Sequence, residues 1–305
     1  MHSGGSPQQA STHNTVGSSP PAPAPAAPPG AALAQTHYEN FPVASLLCPP
    51  ALRPAITAIY GYARTADDIA DEGDALPAQR LADLAAYQRD LLACAAGQQP
   101  SPRWAPVFGA LAPVITGFKL PLPLLCDLLS AFSQDVVKTR YASQLELLDY
   151  CRRSANPVGR LLMHLYAIDD DDALAQSDCI CSALQLINFW QDLSIDIPRG
   201  RIYLPADSWL EYGVTEADLL ARHINPATTA LVRQHVEAAQ ALMQRGAPLC
   251  LRVPGRAGWE LRLVVQGGLR IAEKIERLGF ATLQQRPKLT AWDTCVMVWR
   301  AVSRF

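Results

Sequence analysis

The sequence predicts an all-α fold, and three observations carry that expectation. From residue 37 onward Ala, Leu, Arg and Gln dominate, and these side chains lose little freedom in a helix. Apolar or aromatic residues recur three and four apart, as at Ile56, Ile59, Tyr60 and Ala63, while the alternation of a half-buried strand is nearly absent. No segment repeats at a fixed period, so a helical bundle of about eight to ten helices is expected rather than a solenoid.

Proline, with 25 residues in 305, counts against that fold by number alone. Its distribution removes the conflict. Seven of the prolines lie in residues 1–36, a tract without Lys, Arg, Asp or Glu and with few large apolar side chains. Such a tract cannot offset its chain entropy and reads as a disordered tail before one helical domain over 37–305. It lacks the basic start and apolar centre of a secretory leader.

Each helix then has its own signal. The periodicity predicts a helix over 53–71, stopped by Gly73, and a second over 81–92 marked by Leu81, Leu84, Gln88, Leu91 and Leu92. Further helices are predicted over 104–117, 122–136, 143–167, 173–196, 228–246, 257–279 and 290–304. Pro157 should break its helix after Asn156, and Pro198 should end the 173–196 helix.

Composition excludes several function classes. Hydrophobic residues at 49% suffice for a large core, and a net charge of −2 gives no general attraction to nucleic acid. No uncharged apolar run reaches the length of about 18 residues that a membrane span needs, so a cytoplasmic chain with at most peripheral membrane contact is expected. The eight cysteines form no CxxC pair and read as thiols in a reducing compartment. There is no Gly-x-Gly-x-x-Gly, so neither NADPH nor flavin is expected as a cofactor.

The chemistry concentrates in two stretches, Arg64-Thr65-Ala66-Asp67-Asp68-Ile69-Ala70-Asp71-Glu72 and Gln185-Leu186-Ile187-Asn188-Phe189-Trp190-Gln191-Asp192-Leu193-Ser194-Ile195-Asp196. Residues four apart share a helix face, so Asp67 and Asp71 project together, as do Asn188, Asp192 and Asp196. Like charges at that spacing weaken a helix, and acids near its C-terminus oppose the macrodipole. A divalent cation such as Mg²⁺, which takes carboxylate, water and phosphate oxygens, would resolve the repulsion and let an acidic cleft hold a diphosphate. Arg201, just after the second stripe, could grip the remaining oxygens. Two solvated acidic faces are the plainer alternative. Asp169-Asp170-Asp171-Asp172 reads as a solvated turn, because four adjacent Asp cannot face one ion from a helix.

The ordered set Phe41…Ser45, Tyr60-x-x-x-Arg64-x-x-Asp67-Asp68-Ile69-Ala70-Asp71, Tyr150-Cys151, Gly159, Gln185-x-x-Asn188-x-x-x-Asp192-x-x-x-Asp196 and Gly200-Arg201-Ile202-Tyr203-Leu204-Pro205 resembles the squalene/phytoene synthase family from about His37 to the end. His37-Tyr38-Glu39-Asn40-Phe41, Lys138-Thr139-Arg140-Tyr141, Arg152-Arg153-Ser154-Ala155-Asn156-Pro157 and Gln191 before Asp192 resemble its hydroxysqualene synthase branch, of bacterial hopanoid biosynthesis.

That resemblance implies an isoprenoid-synthase bundle around a central apolar cavity. It implies Mg²⁺-dependent ionisation of presqualene diphosphate, rearrangement of the cation and capture by water. It implies Asp67, Asp71, Asn188, Asp192 and Asp196 as ligands of two or three Mg²⁺. It implies His37, Ser45, Arg64, Lys138, Arg140 and Arg201 against the diphosphate. Phe41, Gln185 and Phe189, with Phe132, would line the cavity. Tyr60 would face the cation, and Arg153 would sit at the site in a role its spacing does not define. Asp68 and Glu72 are expected outside the ligand set. A condensing relative that joins two prenyl diphosphates, and a non-catalytic helical lipid-binding protein, are the competing readings.

Overall fold

Prolines open helices in this chain more often than they interrupt them. The structure is a computed structural model that describes residues 1–2 and 48–304. Its helices are α1 (Arg53–Asp71), α2 (Pro77–Ala95), α3 (Ala105–Phe118), α4 (Leu122–Val137), α5 (Gln144–Ser154), α6 (Asn156–Leu165), α7 (Asp171–Gln191), α8 (Leu193–Asp196), α9 (Ala206–Glu211), α10 (Glu216–Leu220), α11 (Pro226–Gly246), α12 (Gly255–Arg277) and α13 (Ala291–Ser303). A proline stands at the first or second position of α1, α2, α3, α4, α6 and α11, where its missing N–H costs nothing. Pro113, inside α3, is the exception. Among the described residues there is no strand, only an isolated parallel bridge between Arg140 and Ile202. The tail beyond Met1 and His2, together with His37, Phe41 and Ser45, lies outside the described residues.

Two predicted helices are each divided. The 143–167 segment breaks at Ala155, one residue before the expected place, and Pro157 then opens α6. The 173–196 segment leaves the helix at Asp192, whose φ of −100° and ψ of 10° end α7, and Asp196 closes the one-turn α8. The interruption is confined to Asp192: its N–H still donates to the Asn188 carbonyl at 3.0 Å and the Asp196 N–H to the Asp192 carbonyl at 2.9 Å, so the three residues stay one turn apart. The Asp169–Asp172 run is solvent-exposed as expected but only half of it lies between helices: Asp171 and Asp172 form the first turn of α7, which Asp170 caps by accepting from the Ala173 N–H at 2.9 Å while pairing with Arg252 at 2.6 Å.

The core has two parts. One lies among α1 to α4, where Tyr62 and Tyr87 stack at 5.3 Å and Phe108 closes on both rings. The hydroxyls of these tyrosines are satisfied, Tyr62 donating to the Leu125 carbonyl and Tyr87 to that of Tyr62. Phe132 is partly buried and packs against this core part. The other part surrounds α7, with Trp190, Met243 and Leu231 fully buried. Burying each such large side chain contributes roughly 1.5–3 kcal/mol. Gly246 lets α11 approach α7 closely, since a Cβ there would lie 2.6 Å from the Gln176 carbonyl oxygen. Helix α4 bridges the two parts, giving Leu125 and Leu129 to one and Ala131 to the other.

All eight cysteines are free. Among the described residues no helix is long and apolar enough to cross a membrane. Two clefts, of about 330 and 290 Å³, are lined mainly by polar and charged side chains, so neither is the central apolar cavity that the sequence led us to expect.

Candidate active site

The site lies where the two core parts meet, and arginines organise it. On α1, Arg64 reaches Asp67 at 2.9 Å, Asp68 at 2.7 Å and Glu72 at 2.6 Å. Asp71 turns to a partner from elsewhere, the guanidinium of Arg201 at 2.8 Å. The backbone fixes Arg201 for this contact. Gly200 takes a positive φ of 83°, and the Arg201 N–H then donates to the Asp196 carbonyl at 3.0 Å. The next N–H, of Ile202, donates to the Thr139 carbonyl at 3.0 Å.

Arg286 holds the second stripe. Its guanidinium grips Asp192 through both carboxylate oxygens, one of them at 3.1 Å. Gln191 fixes the coil that carries it, donating to the Pro287 carbonyl at 2.8 Å. Gln191 is buried, so the side chain before Asp192 anchors this coil instead of facing the cleft.

Electrostatics ties the stripes together. Burial pushes the Asp196 carboxyl up to about 6, with Asp192 adding to the shift and Arg201, Arg199 and Arg286 opposing it. Asp67 is also raised, first by burial; Arg64 opposes this, and Asp71, Asp68 and Glu72 add to it. Asp135 on α4 is raised to about 6, mainly by burial. The Tyr150 hydroxyl, donating to it at 2.7 Å, and Arg201 oppose that rise, while Asp67 and Asp71 reinforce it. Seven carboxylates (Asp67, Asp68, Asp71, Glu72, Asp135, Asp192 and Asp196) thus stand against the guanidiniums of Arg64, Arg199, Arg201 and Arg286. The excess is negative.

An aromatic layer packs beside these acids. Phe189 stacks on Tyr203 with ring centroids 3.7 Å apart and planes within 7°. Tyr141 follows at 5.8 Å from Tyr203 and 5.6 Å from Tyr150. Phe189 is only 3% exposed, so it is a packed ring of this layer and not an open cavity wall.

The sequence-predicted residues divide clearly. Arg64, Asp67, Asp71, Asp192, Asp196 and Arg201 come together. Asp68 and Glu72 are bound by Arg64, outside the cluster's centre, as expected. Tyr60 is half-buried one turn before Arg64, and Gln185 and Asn188 are half-buried on α7. Three further cations are held by neighbouring carboxylates. Lys138 pairs with Glu146 and lies 5.3 Å from the Tyr141 ring centroid. Arg140 pairs with Glu216 at 2.8 Å and donates to the Gly200 carbonyl, so it supports the Arg201 turn from behind. Arg153 binds Asp149 at 3.0 Å and Gln134 at 2.6 Å, and Gln134 in turn donates to the Tyr141 hydroxyl at 3.2 Å.

Asp135 and Arg286 were missed. Asp135 is a lone acid in the apolar pattern of α4, and Arg286 lies in a coil 94 residues from its partner, so neither carries a local signal. Tyr150 and Tyr203 stand within the quoted motifs, but nothing in the motif spacing indicates a shared layer.

Among the described residues no three of His, Cys, Asp and Glu converge on one cation-sized point. The donor set still suits a hard cation. Mg²⁺ is usually held by one or two carboxylates, with phosphate oxygens and waters completing its shell. Asp67, Asp71, Asp192 and Asp196 are the carboxylates that would supply those few ligands, with the arginines now on the first three released to phosphate oxygens.

Comparison with known proteins agrees with this layout. The squalene/phytoene synthase family model matches residues 34–293. The chain is 38% identical over 202 residues to the hydroxysqualene synthase of Zymomonas mobilis, covering 66% of this chain and 65% of that protein. It is 32% identical over 243 residues to the hydroxysqualene synthase of Sinorhizobium fredii, covering 79% and 80%. The crystal structure of a squalene synthase from Alicyclobacillus acidocaldarius superposes with a TM-score of 0.76 at 36% identity, over 82% of this chain and 93% of that one. An all-α bundle, an ordered pair of acidic stripes and a family match over most of the length agree: this chain belongs to the squalene/phytoene synthase family.

Proposed function

We propose that the protein is a hydroxysqualene synthase, converting presqualene diphosphate and water to hydroxysqualene and diphosphate. The observation that carries this reading is the Arg201–Asp71 contact, which joins the two acidic stripes around one cleft. The identity to proteins named hydroxysqualene synthase supports it.

The chain's residues suit ionisation of an allylic-type diphosphate. Arg64 and Arg201 are placed to take diphosphate oxygens in bidentate fashion. Arg286, now on Asp192, can share that load. Asp67, Asp71, Asn188, Asp192 and Asp196 are the residues that would hold Mg²⁺, which when bound would stabilise the charge growing on the leaving diphosphate. The carbon–oxygen bond breaks with its electron pair leaving on diphosphate. Tyr60, half-buried one turn before Arg64, is placed to turn a ring face to the carbocation left behind, with the packed Phe189–Tyr203–Tyr141 layer behind the acids. That cyclopropylcarbinyl cation rearranges, breaking ring carbon–carbon bonds to give the open chain, and water then forms a new carbon–oxygen bond to the rearranged cation and loses one proton.

The test is release of diphosphate from presqualene diphosphate by Asp67→Asn and Asp192→Asn. Each should fall at least about 100-fold while helicity by circular dichroism is retained. Activity surviving both changes would remove the two-stripe site from the reaction. Formation of presqualene diphosphate from farnesyl diphosphate would instead favour a condensing enzyme.

A further inference from the structure

Helix α13 turns a broad apolar face to solvent, the reverse of an ordinary surface helix. Its inward side combines Val296, Met297 and Ala301 with ion pairs. Asp293, 1% exposed, pairs with Arg270 at 2.7 Å and Lys274 at 2.6 Å, and Arg300 pairs with Glu273. Met297 lies against Gly267, so α13 packs on α12. Only Asp293 and Ala301 of this helix are buried.

The other face carries Trp292, Cys295, Trp299 and Val302, spaced three and four apart. Trp292 is 72% exposed, Trp299 63% and Val302 62%. Of the six tryptophans, Trp104, Trp190 and Trp209 are buried, and the three exposed ones, Trp259, Trp292 and Trp299, all stand on α12 and α13. The charge of this region is equally uneven. Residues 252–304 hold ten Lys or Arg against four Asp or Glu, in a chain whose net charge is −2. Lys274, Arg277, Arg286 and Lys288 line a cleft of about 330 Å³ at the junction of α12 with the coil leading to α13.

Exposed tryptophan on a helix beside clustered cations is the composition of an element that lies in the plane of a bilayer surface. The indoles enter the headgroup boundary and the cations meet anionic lipid. We propose that the α12–α13 pair is a docking face for an anionic lipid surface, with α13 lying flat against it. The basic charge selects this occupant over a second copy of the chain, whose matching face would carry the same positive excess. The inference deepens the lipid-substrate reading but does not need turnover to be observed.

Flotation of the full-length protein with phosphatidylcholine vesicles containing about one-third phosphatidylglycerol tests it. The protein should bind these at least about tenfold better than pure phosphatidylcholine vesicles, and Trp292→Ala/Trp299→Ala should lower binding at least about tenfold. Both side chains are exposed, so helicity and turnover in detergent should stay at the parent level. Absence of flotation by the parent, or equal flotation by the double variant, would overturn the proposal. So would a concentration-dependent dimer that the same double change dissolves. Vesicle binding by a protein that turns over no prenyl diphosphate would uphold the docking face and reject the catalytic reading alone.

Discussion

Arg201 and Asp71, 130 positions apart in the chain, meet at 2.8 Å and close the cleft between the two acidic stripes. The contact depends on the Gly200 turn and on the Thr139–Ile202 backbone bond beneath it. Arg201→Gln keeps much of the side-chain volume and removes the charge. It should lower kcat/KM at least about 100-fold, since preorganised charge at a leaving group commonly contributes that much. Its Tm should move by no more than a few degrees, because the pair is partly exposed. Steady-state kinetics beside a thermal melt measures both.

The acids raised by burial predict a pH signature in stability. Asp135 and Asp196 hold their protons to about pH 6 in the folded protein, above the ordinary carboxylate value of 3.8. The folded state therefore binds more protons, and the stability from these groups falls as pH rises from about 4 to about 6. Asp135→Asn and Asp196→Asn should each be more stable than the parent at neutral pH, by on the order of 1 kcal/mol after allowance for partial exposure. The gap should close near pH 4. Urea unfolding across that range reads it.

Arg286 makes a prediction about the cation alone. Its guanidinium occupies both oxygens of Asp192, so a divalent ion must compete with it. Arg286→Gln should bind Mn²⁺ several-fold more tightly without substrate, while KM for the diphosphate rises. Titration calorimetry and kinetics should move in these opposite directions.

Gly246 sets the distance between α11 and the helix that carries Asn188. A Cβ there would meet backbone atoms of α7, the Gln176 oxygen at 2.6 Å and the Ile180 nitrogen at 2.9 Å, which no rotamer change relieves. Gly246→Ala should cost about 1–3 kcal/mol by denaturant unfolding.

Much of this molecule is legible in the sequence, for a physical reason. Helices announce themselves through local periodicity, and the stripes through acids placed where a helix disfavours them. Legibility fails where a contact is distant. The Asp192–Arg286 and Asp135–Tyr150 pairs join segments with no shared pattern. It also fails where cations have several carboxylates to choose from. Lys138 and Arg140 read as anion binders in one dimension and Arg153 as a site residue of undefined role, and nothing in the spacing shows their pairing with Glu146, Glu216 and Asp149 in three. The division of the 173–196 segment at Asp192 belongs to the same class, since Pro198 marks only where the helix must have ended.

The central claim is ionisation of presqualene diphosphate followed by capture by water. Incubating the purified protein with presqualene diphosphate and Mg²⁺ in ¹⁸O-water, without any reductant, tests it by product mass spectrometry. The account predicts hydroxysqualene carrying one ¹⁸O, with free diphosphate in equal amount. Unchanged substrate, or an alcohol without the label, would contradict it.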